Sequence, residues 1–65
     1  MRVNEIVSRC RTDQSVIINY EGKFIEGTVF EILEDPQYRL NRIGDMLVTA
    51  IDSYNCDLIL RAVKA

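Results

Sequence analysis

The chain has 65 residues, 48% of them apolar and 28% charged, with one proline, three glycines, no histidine and a formal net charge of −2. This composition fits one small domain, residues 1–65, and excludes collagen-like, low-complexity and highly charged disordered chains, because nearly half of the side chains can be buried. No uncharged run approaches the roughly 20 residues of a bilayer-spanning helix, and eight basic residues scattered through an acidic chain argue against a nucleic-acid-binding surface.

Val3, Ile6, Val7 and Cys10 recur at i, i+3, i+4 and i+7, which predicts an amphipathic helix over residues 3–10. Asn4, Glu5 and Ser8 interrupt any apolar run there, so no signal peptide is expected. A polar connector, Arg11 to Ser15, leads into Val16-Ile17-Ile18-Asn19-Tyr20, a β-branched and aromatic run that favours a strand. The chain then turns, either through a type I turn over Asn19–Gly22 or through a two-residue Glu21-Gly22 loop, and Lys23–Glu26 returns as the second strand of a hairpin. Thr28-x-x-Glu31 is a capping box at the start of a second helix, with Val29, Ile32 and Leu33 as its inner stripe and Phe30 beside them. That helix should stop near Glu34, because Asp35 precedes Pro36. Asp35-Pro36 either caps a further short turn or opens an irregular loop to Arg42, anchored by Tyr38 and Leu40. Met46–Asp52 and Cys56–Val63 form a second hairpin around Ser53-Tyr54-Asn55. In its last strand Cys56, Leu58, Leu60 and Ala62 share one face, and Asp57, Ile59, Arg61 and Val63 share the other. The order α-β-β-α-β-β predicts an α+β domain: a small antiparallel four-stranded sheet made of two hairpins, with two short helices on one face.

A sheet with helices on one side should be polar on the other. Here Ile17 and Ile18, and Phe24 and Ile25, have opposite parity within their strands, and Ile59 and Val63 lie on the charged side of the last one. Whichever register the hairpins adopt, some of these side chains leave the core face. Ile17, Phe24, Ile59 and Val63 are therefore the expected interface with a partner or a second copy. Small size reinforces this, since a short chain gains most from covering such a patch.

Several chemistries are excluded. Without histidine there is no Ser-His or Cys-His pair, and the commonest general base is missing. Gly22, Gly27 and Gly44 are too dispersed for a phosphate-cradling loop. No zinc-type ligand spacing or calcium loop is present, so no metal, cofactor or catalytic residue is assigned. Cys10 and Cys56 are expected to be buried free thiols. Glu26, Glu31, Glu34 and Asp35 form the densest polar group, either a solvated helix start or an acidic recognition surface. Tyr38, Arg39 and Arg42 are the candidate contacts for an anion.

The pattern of a short N-terminal helix, VIINYEGKFIEGTVFEIL, a DP-containing loop and the hairpin MLVTAIDSYNCDLIL resembles short uncharacterised α-β-β-α-β-β proteins of Firmicutes phages and mobile elements. The resemblance covers most of the chain and carries no functional residues over. It implies a non-enzymatic binding role in the cytoplasm of a bacterium, or of the host of a phage, with inhibition of a host defence system as the sharpest expectation. The sequence thus predicts a small cytoplasmic protein acting through protein–protein contacts, as a homodimer that also binds another protein. The alternative is a small-ligand-sequestering protein whose pocket forms between subunits.

Overall fold

The computed structural model describes all of Met1–Ala65. In chain order the elements are helix α1 (Val3–Val7), strands β1 (Ser15–Tyr20) and β2 (Lys23–Thr28), helices α2 (Val29–Glu34) and α3 (Pro36–Leu40), a 3₁₀ turn (Ile43–Asp45), and strands β3 (Leu47–Tyr54) and β4 (Asp57–Val63). The fold is α+β, as the element order predicts, with a third short helix where Asp35-Pro36 caps and starts α3. Asp35 accepts from the Gln37 N–H at 2.9 Å, and Pro36 occupies the first helical turn, where its missing N–H costs nothing.

Both hairpins form, but the sheet they make is mixed. Its strand order is β2-β1-β4-β3, with β1 and β4 running parallel at the centre. The reason lies in the residues. β1 and β4 carry branched apolar side chains on both faces, Ile17 with Ile18 and Ile59 with Leu60, so both belong in the middle of the sheet. β3 is the more polar strand and takes an edge. The connection through α2, α3 and the 3₁₀ turn carries the chain from the β2 edge across to the β3 edge, and β4 returns between β3 and β1.

Each hairpin closes through two residues in left-handed conformation, Glu21 (φ 49°) with Gly22 (φ 76°) and Asn55 (φ 50°) with Cys56 (φ 69°). Two positive φ angles match the twist of the flanking strands. The first turn is the two-residue option. The second corrects the expected placement of Cys56, which lies exposed in the turn instead of on the core face. Cys10 is half-buried, its thiol donating to the Ile6 carbonyl at 3.3 Å.

A single apolar cluster fills the space between the helices and one sheet face. Val3 and Val7 of α1, Val29 and Ile32 of α2, Ile43 and Met46 pack on Val16, Ile18, Tyr20, Ile25, Leu60 and Ala62. α2 is seated by the predicted capping box: Glu31 Oε1 accepts from the Thr28 N–H at 2.9 Å, and Thr28 Oγ1 accepts from the Glu31 N–H at 3.2 Å. Gly27 (φ 150°) makes room for it, since a Cβ there would stand 3.2 Å from the Glu31 Cβ. The hydrogen bonds from Thr28 hold the Glu31 carboxyl below its ordinary 4.5. Glu31 therefore stabilises the fold fully above that value, and the contribution is lost as pH falls through its lowered pKa. Glu31→Gln is expected to melt below wild type at pH 7 and to match it in acid; an equal gap at both pH values in a thermal melt contradicts this. Thr28→Ala, which removes the cap, is expected to cost about 1 kcal/mol at neutral pH. Leu33 and Phe30, expected on or beside the inner stripe of α2, are both largely exposed, as is Leu40, the expected loop anchor. Tyr38 is half-buried and packs against the core.

Candidate protein interface on the open sheet face

Strand alternation assigns every side chain of the uncovered face. Val16, Ile18 and Tyr20 point to the helices, so Ile17 and Asn19 point away, and the register carries this across the sheet. Ile17 is the partner of Glu26 on one side and Ile59 on the other; Asn19 is the partner of Phe24 and Arg61. On β3, Asp52 is opposite Ile59, Ala50 opposite Arg61, and Leu47 opposite Val63. All four residues expected at an interface thus lie on one face, away from the helices. Ile17 and Ile59 are registered neighbours at its centre. Phe24 sits diagonal to Ile17 on the β2 edge and is 62% exposed. Val63 stands with Leu47 beyond Arg61, and Tyr54 marks the opposite end of β3.

A bulge at Thr49, between Val48 and Ala50, decides which β3 residues join the face. Without it Leu47 and Ile51 would share a side. With it they part: Leu47 faces the open side and Ile51 the helix side, at the margin where no helix reaches, so Ile51 is 57% exposed. The Thr49 hydroxyl holds the bulge by donating to the Arg61 carbonyl at 3.3 Å. Tyr54 is the face residue that the sequence did not yield, because the parity switch at Thr49 has no composition signal.

Arg61 is the one cation on this face. The ion pairs of the chain are Arg11–Asp13 and Lys64–Glu21. Arg61, Glu26 and Asp52 are therefore all without a charged partner, on adjoining rows of one surface.

The four acidic residues singled out in the sequence do not form one surface. Glu26 belongs to the open face. Glu31 and Asp35 are engaged as the capping groups of α2 and α3, and Glu34 is solvated at the end of α2. No three carboxylate or thiol side chains converge in a way that could hold a metal ion. Tyr38, Arg39 and Arg42 do come together, around a shallow cavity of about 470 Å³ shared with Asn4, Leu33, Gly44 and Asp45. The Tyr38 hydroxyl donates to Asn4 Oδ1 at 3.4 Å. Burial, and secondarily the charge of Asp45, push the Tyr38 pKa above its usual value. A Cβ at Gly44 would lie 2.9 Å from the Tyr38 hydroxyl, so a larger residue there would displace the end of the Tyr38 ring.

No helix of the chain is long and apolar enough to cross a membrane. No protein-family model, curated protein or solved structure matches the chain.

Proposed function

We propose that this chain is a small non-enzymatic binding protein that works through protein–protein contacts, and that the first occupant of its open sheet face is a second copy of itself. The observation that carries this reading is the position of Ile17, Phe24, Ile59, Val63 and Leu47 on the one sheet face that no helix covers. Size adds to it. With extents of 27 × 23 × 20 Å, the chain needs a whole face to approach the roughly 800 Å² per partner of a standard interface. The edges are poorer candidates. β3 carries Asp52 and the Thr49 bulge, both of which oppose edge-to-edge pairing, and β2 ends in the Gly27 distortion. Charge favours face-to-face stacking about a two-fold axis, because the open face carries one unpaired cation, Arg61, and two unpaired carboxylates, Glu26 and Asp52, so it is self-complementary.

The solvated outer side of α2, with Glu34, is left free in such a dimer for a basic surface of another protein. The likeness of element order to short phage and mobile-element proteins supports a role as an inhibitor that occupies a host protein. The reading is tested by methyl NMR with a soluble nitroxide at millimolar protein. The methyls of Ile17, Ile59 and Val63 are expected to be protected while those of Leu33 and Leu40 broaden. Equal broadening of all five contradicts it.

A further inference from the structure

The parallel pairing of β1 and β4 brings their C-terminal ends side by side, and the residues that follow both strands line one cleft. Its volume is about 460 Å³, and Arg2, Lys23, Arg42 and Lys64 surround it. Half of the eight basic residues of an acidic chain therefore converge on one end of the sheet. They come from four separate parts of the chain: the residue before α1, the start of β2, the residue before the 3₁₀ turn, and the segment after β4. Two carboxylates, Glu21 and Asp45, also line the cleft. Only one ion pair forms there, Lys64 with Glu21 at 3.5 Å. Arg2 donates to the Asp45 backbone carbonyl, not to its carboxylate. Arg2, Lys23 and Arg42 are thus left without a carboxylate partner around a concave space of small-molecule size.

Two further features belong to the same cleft. Arg42 is held at φ 51°, a left-handed conformation that a non-glycine residue adopts at a cost. Leu40, 77% exposed, lines the cleft beside it and is largely uncovered by its own fold. Guanidinium groups match phosphate oxygens in bidentate geometry, and several cations around one concavity suit more than one anionic group.

We infer that this cleft binds a small molecule carrying two or more phosphate groups, held by Arg2, Lys23, Arg42 and Lys64, with its less polar part against Leu40. The site is at the end of the sheet and apart from the open face, so it does not depend on self-association.

The conformation of Arg42 supplies a clean variant. Arg42→Gly removes the guanidinium at a position where glycine is conformationally favoured, so the fold should be kept or strengthened. Calorimetric titration with tripolyphosphate and with ATP, at fixed ionic strength, is the test. Wild type is expected to bind both probes, with ATP the tighter. Arg42→Gly and Lys23→Glu should each weaken binding at least tenfold with no loss of melting temperature, while Arg9→Ala, in the exposed turn after α1 and outside the cleft lining, leaves it unchanged. Absence of binding by both probes, or equal binding by wild type and both cleft variants, overturns the inference.

Discussion

Leu60→Ala is expected to leave the chain unfolded at 25 °C. Leu60 is fully buried in the central strand β4, registered beside Ile18, which is equally buried. Both stand under the helices, where Val3, Val7, Val29, Ile32 and Ile43 close the cluster. Truncating a buried leucine to alanine costs about 2–5 kcal/mol, through lost transfer energy and the cavity left behind. A single core in a domain this short supplies at most roughly 3–5 kcal/mol. The two figures meet, so one substitution removes most or all of the stability. Far-ultraviolet circular dichroism with a urea titration reads this directly: no cooperative transition is expected for the variant. A transition at the wild-type midpoint would mean that the cluster is not the source of stability.

The second large effect is at the surface and has the opposite signature. Phe24→Asp is expected to weaken self-association by about 30-fold or more, the loss of an aromatic anchor worth about 2 kcal/mol. The melting temperature of the monomer should hardly change, because Phe24 makes little contact with its own chain. Ile59→Thr, at the centre of the face, should also weaken association while keeping a β-branched side chain in the strand. Sedimentation velocity separates these effects from unfolding. A Phe24→Asp variant that associates as wild type does would remove the open face from the interface.

The features legible in the sequence are those decided by near neighbours. Thr28 and Glu31 lie within one helical turn, so the capping box is a local matter and forms as written. Asp35-Pro36 fixes where α2 ends and α3 begins through the steric restriction of a single residue. Adjacent large apolar residues in β1 and β2 must point to opposite faces, so the two-sided character of the sheet follows from alternation alone. What escaped is non-local. The parallel pairing of β1 with β4 depends on how two hairpins meet across the chain, and no turn residue reports it. The Thr49 bulge reassigns Leu47, Ile51 and Tyr54 by one unpaired residue in the ladder. Cys56 occupies a left-handed turn position for which glycine is the usual signal, and the second hairpin therefore turns one residue later than its composition suggests. The cation-lined cleft is the extreme case, since Arg2, Lys23, Arg42 and Lys64 are dispersed in sequence and meet only after the two central strands align.

The most direct measurement is the solution mass of the wild-type chain over a concentration series, by multi-angle light scattering. A single chain is 7.5 kDa. The mass is expected to rise toward twice that value with concentration and to stay at one chain's mass for Phe24→Asp. A wild-type mass of one chain at every concentration up to the millimolar range would contradict self-association through the open sheet face.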